Sequence, residues 1–303
     1  MQFRIIQNRR NWYFLSGALV IAAIVSLFAW GLKFGIDFTG GTLIEATFID
    51  ERPSVEQMSQ ALDELDYGDI SLQPAGESDV ILRLRDVTED EHQAVLTALR
   101  NSVEGGSAAL VENRFETIGP AIGQELARKA FSALVLSIIF IILYIAYAFR
   151  KVSEPVASWK FGVTAIIALV HDVLIITGVF AVLGFALQVE VGAMFVTALL
   201  TILGFSVHDT IVVFDRTREN LFLSKKRDDF EDIVNTSVNQ TIWRSVNTSV
   251  STLFVLGAIF FFGGESIKYF TLALMLGIVI GTYSSIFVAS PLIVDWFKLG
   301  KKR

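Results

Sequence analysis

Ionisable groups lie in or beside three long apolar runs, where a charge is costly. Asp209 follows His208 inside Leu203-Gly-Phe-Ser-Val-His-Asp-Thr-Ile-Val-Val-Phe214, His171 and Asp172 interrupt a second run, and Arg244 is the sole cation where a third begins, in Asn239-Gln-Thr-Ile-Trp-Arg-Ser-Val-Asn-Thr-Ser249. An ionised Asp deep in hydrocarbon costs about 2.5 to 3.5 kcal/mol even on the mildest insertion scale, so it persists only if it pairs, protonates or faces water. The chemistry within reach is therefore proton carrying. Asp209 suits that role, with a structural hydrogen bond to a neighbouring helix as the plain alternative. Asp172 is equally a proton carrier or a fixed partner for a helix backbone or for His171. Arg244 is either an anchor at the positively charged side of its span or a partner for a carboxylate of the preceding span. In the second case a change in their separation drives proton uptake or release.

Other chemistries find no support. Neither of those histidines has a second strong metal ligand at helical spacing, and no phosphate-binding loop, nucleophile elbow or zinc signature is present, so neither an enzymatic reaction nor a metal cofactor is expected. Asp215, Arg216, Arg218 and Glu219 are spaced to pair along one helix face and read as a solvated extension. The chain has no cysteine, which excludes disulfides and thiolate sites.

The elements that must hold these groups are transmembrane helices. A hydrophobic fraction of 53 % over 303 residues is far above that of a soluble globular protein. Runs of spanning length fall at residues 12–32, 130–149, 161–185, 191–214, 245–262 and 270–296. The first is too long for a signal peptide core and lacks a small-x-small cleavage site, so it reads as an uncleaved span. Gly277, Gly281, Ser284, Ser285 and Ala289 in the last run suit close helix packing.

Residues 33–129 form a separate domain. Residues 34–129 hold 7 Lys/Arg against 19 Asp/Glu, whereas the remainder holds 18 against 12. The glycines of Gly35-Ile-Asp-Phe-Thr-Gly-Gly-Thr42 mark a sharp junction after the first span. Thr42 to Phe48 alternates as a strand, and Ser54-Val-Glu-Gln57 and Thr88-Glu-Asp-Glu91 are capping boxes opening helices to about Asp66 and Val103. Ile70 to Pro74, Val80 to Arg85 and Leu110 to Thr117 complete the order strand, helix, strand, strand, helix, strand, which is the ferredoxin-like split βαβ. Its acidic residues read as a solvated face, and its edge strands are open to an extended partner. The fold class that follows is a polytopic α-helical membrane protein of six transmembrane helices, with one extracytoplasmic α+β ferredoxin-like (βαββαβ) domain between the first and second.

Six spans put both termini on one side. The basic short segments are residues 1–11, the second-to-third loop with Arg150, Lys151 and Lys160, the segment from Arg216 to Arg244, and the tail 298–303. By the positive-inside rule these are cytoplasmic and the acidic domain lies outside.

In combination and order, four motifs resemble the SecF family, the smaller half of the bacterial SecD/SecF pair, related to the resistance-nodulation-division transporters. They are Gly35-Ile-Asp-Phe-Thr-Gly-Gly-Thr42, Ala168-Leu-Val-His-Asp172, Gly204-Phe-Ser-Val-His-Asp-Thr-Ile-Val-Val-Phe-Asp-Arg-Thr-Arg-Glu-Asn220 and Gly281-Thr-Tyr-Ser-Ser-Ile-Phe-Val-Ala-Ser-Pro291. The resemblance implies a subunit of the bacterial cytoplasmic membrane that uses the proton-motive force to help draw polypeptides across it, with the proton as coupling ion and no other cofactor. It implies SecD, the SecYEG channel, YajC, the translocating polypeptide and membrane lipids as partners, and no nucleic acid. It places Asp209 and Arg244 on the proton path, beside the residues' own candidate Asp172, and makes Asp37, Phe38, Gly40 and Gly41 the family's structural motif. The loop Phe149-Arg-Lys-Val-Ser-Glu-Pro-Val-Ala-Ser-Trp-Lys160 lacks the Glu-Trp-Arg pattern expected there. Two rival readings are half of a small-molecule or lipid exporter and a purely structural assembly subunit.

Overall fold

Among the described residues, six stretches of helix are long and apolar enough to cross a membrane. The computed structural model describes residues 3–102, 109–148, 158–224 and 229–301. Most of the atypical 149–160 loop and the expected helix end at about Val103 lie outside them. Chain contacts divide the molecule into two units, one of Met1–Lys33 with Ser132–Arg303 and one of Phe34–Phe131.

α1 covers Arg9–Ala29, as long as the expected span 12–32 but starting and ending three residues earlier. Four further helices run beyond what hydropathy alone predicts: α5 covers Pro120–Ala148, α6 Ser158–Leu187, α7 Ala193–Leu223 and α8 Phe230–Phe262. Polarity ends a span but not a helix, because the backbone hydrogen bonds continue into water. Thus α7 carries the ion pairs Asp215–Arg218 and Arg216–Glu219 beyond its apolar part, as their spacing predicts. The segment before Arg244, expected as a polar connection, is instead the first four turns of α8, opened by Glu231 and Asp232 at the helix's positive end. The last span is α9 (Glu265–Ser284), a π-helical segment Ser285–Ala289 and α10 (Ser290–Lys301). Ser290 Oγ donates to the Ser285 carbonyl at 2.8 Å and helps satisfy the widened turn.

Close helix contacts use small residues. A Cβ on Gly178 would stand 2.4 Å from Ala23 of α1, and one on Gly277 of α9 would stand 2.3 Å from Ile202 of α7.

Residues 3–8, part of the short basic segment 1–11, form a strap held against α8. Ile5 and Ile6 are buried, and their amides donate to Asn235 Oδ1 on α8 at 3.0 and 3.3 Å. Asn239 grips Phe3 from both sides, accepting its N–H at 2.7 Å and donating to its carbonyl at 2.9 Å. Arg9 pairs with Glu231 of α8 and Asp295 of α10, and Lys298 also reaches Glu231.

The second unit holds β1 (Gly41–Phe48), α3 (Val55–Asp63), β2 (Ser71–Ala75), β3 (Asp79–Leu84), α4 (Glu89–Asn101) and β4 (Leu110–Ile118), after the short helix α2 (Ile36–Thr39). The sheet order is β2-β3-β1-β4 with every pair antiparallel and a bulge at Glu45/Ala46. Alternate residues of the strands meet α3 and α4 in a core of Ile44, Phe48, Met58, Leu62, Leu82 and Leu99. Both capping boxes form, Ser54 with Gln57 and Thr88 with Glu91.

Candidate functional site

Asp209 sits on the face of α7 that α8 and α9 cover, and is 5 % exposed. Its two carboxylate oxygens meet hydroxyls: Ser245 of α8 donates to Oδ1 at 3.2 Å and Thr282 of α9 to Oδ2 at 3.0 Å. Thr282 is itself bonded to Ser249 of α8 at 2.6 Å. Among the described residues no cation pairs with this carboxylate. The expected contact with Arg244 is not formed. Arg244 and Ser245 are adjacent on α8, so their side chains point about 100° apart, and with Ser245 turned to α7 the arginine is turned outward and exposed. Asn247, Thr248 and Ser251 continue that exposed polar stripe.

Asp172 is buried more deeply, at 1 % exposed, on α6. His171 Nδ1 lies 2.9 Å from its Oδ1, while Ser206 of α7 and Ser284 of α9 donate to Oδ2 at 2.6 and 2.8 Å. Tyr283 stacks over the His171 ring, with centroids 6.3 Å apart. Ser285 and Thr210 share a hydrogen bond of 2.8 Å on the same side of α7. His208, Asp209's sequence neighbour, faces outward.

The two carboxylates are thus held separately, each at a junction of three helices and each by hydroxyls of the turn Gly281–Ser285. The sequence reading took Ser284 and Ser285 for packing residues. Gly277 and Gly281 do pack, the latter against Ser206, but the serines between helices are also the donors. Ser245 and Ser249 had no signal beyond being hydroxyls at the head of an apolar run, and Ser206 and Thr282 stood in the family-like motifs with no role attached to them. Such residues commonly satisfy themselves on their own helix, as Thr248 does by donating to the Arg244 carbonyl.

The glycine motif is built by close approach in the second unit. Gly40 and Gly41 have φ of +76° and +124°, and a Cβ on them would stand 2.8 Å from Pro120 Cα and from the Leu84 carbonyl oxygen. Gly123 returns the contact, with its Cβ position 2.9 Å from Gly40 N. Phe38 sits edge-on to Phe34 at 6.0 Å, and Asp37 lies in the first turn of α2.

Two family models match the chain. "Protein export membrane protein SecD/SecF, C-terminal" covers residues 98–299, and "SecD/SecF GG Motif" covers residues 25–48, which contain Asp37, Phe38, Gly40 and Gly41. The chain belongs to the SecD/SecF family. Within it, the chain is 45 % identical to the protein translocase subunit SecF of Thermobaculum terrenum, over 96 % of this chain and 93 % of that one. It is 40 % identical to the protein of the same name from Vibrio alginolyticus, over 90 % and 83 %. Among solved structures it resembles SecDF of Thermus thermophilus, described as a translocon-associated membrane protein, with a TM-score of 0.82 and 34 % identity over the whole of this chain. A second SecDF structure, in a super-membrane-facing form, matches with a TM-score of 0.70 and 33 % identity. This chain spans about two fifths of the length of those two structures. It is a multi-pass membrane protein of a protein-transport family.

Proposed function

We propose that this chain is an accessory subunit of the Sec protein translocase that pairs with SecD and couples the proton-motive force to movement of polypeptides across the cytoplasmic membrane. The observation that carries the reading is Asp209, a carboxylate buried in a span and held by two neutral hydroxyls. Such a group is able to exchange a proton without breaking an ion pair inside its own chain. A charge crossing 100 mV releases about 2.3 kcal/mol, so a few protons suffice to bias a two-state movement. The outward-facing Arg244 and Asn247 support a membrane-embedded partner, because those side chains are costly against lipid and favourable against a polar helix. SecD is that partner in this reading, and Arg244 then meets a carboxylate across the interface rather than Asp209 within the chain. Both termini are cytoplasmic, the second unit is an extracytoplasmic ferredoxin-like domain, and SecYEG and YajC complete the assembly.

The test is export of a secreted reporter in cells with matched levels of wild-type, Asp209→Asn or Arg244→Met protein, with SecD co-purification as the control for assembly. Loss of export with the complex intact supports proton-coupled work. Normal export in both variants rejects it.

A further inference from the structure

We propose that His171 and Asp172 form a second proton-binding site in the membrane domain, separate from Asp209, with Nε2 of His171 as the atom that takes the proton. The inference extends the proton-coupled reading but is tested apart from it.

The geometry fixes where a proton is missing. Asp172 Oδ2 already accepts from Ser206 and Ser284, and its Oδ1 faces His171 Nδ1 at 2.9 Å. When the carboxylate is ionised, Nδ1 must carry the hydrogen, because a lone pair there would face a negative oxygen. That tautomer leaves the lone pair on Nε2. The ring is 6 % exposed, and among the described residues no group reaches Nε2. A buried nitrogen with no partner is costly, and so is a buried carboxylate with no cation.

One proton removes the second cost, because it neutralises the net charge of the buried pair. Bound at Nε2 it makes an imidazolium beside the carboxylate. If the Nδ1 hydrogen then crosses the 2.9 Å bond, the products are a neutral carboxyl and a neutral ring hydrogenated on Nε2. The net charge of the pair changes from −1 to 0 by either route, and no bond other than N–H or O–H is made or broken.

The neighbouring charged groups are otherwise engaged. On helices packed against α6, Asp209 is taken by Ser245 and Thr282, and Tyr13 of α1 donates to Asp295 of α10, which Arg9 also holds. Tyr283 stacks on the ring while its hydroxyl bonds to Ser16 at 3.0 Å, His208 points outward, and the π-helical segment carries no titratable residue. The pair therefore exchanges its proton without a fixed counter-ion. Ser284 lies on the same α9 turn as Thr282, so this site and Asp209 share one mechanical support.

The measurement is nitrogen NMR of the full-length protein, labelled in its histidine rings and held in lipid nanodiscs, from about pH 5 to about pH 8. The chain has three histidines, and the His171 signals are those absent from His171→Gln. The expected result is that Nε2 gains a hydrogen as pH falls, that Asp172→Asn abolishes this transition, and that Asp209→Asn retains it. An Nε2 whose state is constant across the range in the wild-type protein overturns the proposal, as does a transition unchanged by Asp172→Asn. Because the readout is on the ring, it stands or falls whatever Asp209→Asn does to export.

Discussion

Thr282 and Ser284 stand two residues apart on α9 and donate to different carboxylates, Thr282 to Asp209 on α7 at 3.0 Å and Ser284 to Asp172 on α6 at 2.8 Å. Two residues on a helix are about 200° apart around its axis, so one turn serves sites on nearly opposite sides. The π-helical segment begins at the next residue. Any rotation or shift of this turn changes both sets of hydrogen bonds together.

Thr282→Val keeps the shape of the side chain and removes the donor to Asp209. The loss of a hydrogen bond to a buried carboxylate costs about 1 to 3 kcal/mol, so a lowered unfolding temperature in detergent is expected, with Thr282→Ser close to wild type. Equal stability of the valine and serine variants contradicts the assigned bond.

Gly277→Ala places a methyl 2.3 Å from the Ile202 side chain. Overpacking of this kind costs about 1 to 3 kcal/mol. The shorter side chain of Ile202→Ala makes room for that methyl, so the double variant is expected to be more stable than the sum of the two single losses predicts. Additive losses in a double-mutant cycle count against the α7–α9 contact as described.

Gly40→Ala and Gly41→Ala force a side chain into the left-handed region and against the backbone of Pro120 and Leu84. Each is expected to destabilise the second unit by at least about 1 to 2 kcal/mol. Faster amide exchange in β1 and β4, with exchange in α7 unchanged, is the expected pattern in the full chain.

Asn235→Ala leaves the amides of Ile5 and Ile6 without their acceptor. The strap is expected to open at a cost of about 1 to 3 kcal/mol, read as loss of amide protection at Ile5 and Ile6. Protection equal to wild type rejects the clamp.

In the second unit the Arg85 guanidinium, followed by the Thr88 backbone amide, holds the Glu91 carboxyl down to about 2 from its ordinary 4.5. A lowered folded-state value means the stabilisation is present above about pH 4.5 and is lost as the pH falls towards about 2. Protection of the α4 amides should decline across that window in the wild-type chain. In Glu91→Gln the same window should be flatter.

Hydropathy and period are local properties, and what they govern was legible without coordinates. Six spans, the strand and helix order of residues 41–118, both capping boxes, and the ionic extension after Phe214 follow from each segment's own residues. Asp209 and Asp172 were also visible, because a carboxylate in an apolar run is conspicuous wherever the run packs. What meets those carboxylates was not. Ser245 rather than Arg244 faces Asp209 because of how α8 is rotated about its axis, and Ser284 reaches Asp172 because Gly277 and Gly281 let α9 lie close against α7. Rotation and separation of helices are set by the packing of all of them at once. For the same reason Asn235 and Asn239, read as part of a polar connection, hold the strap at Phe3, Ile5 and Ile6 across more than two hundred residues of chain.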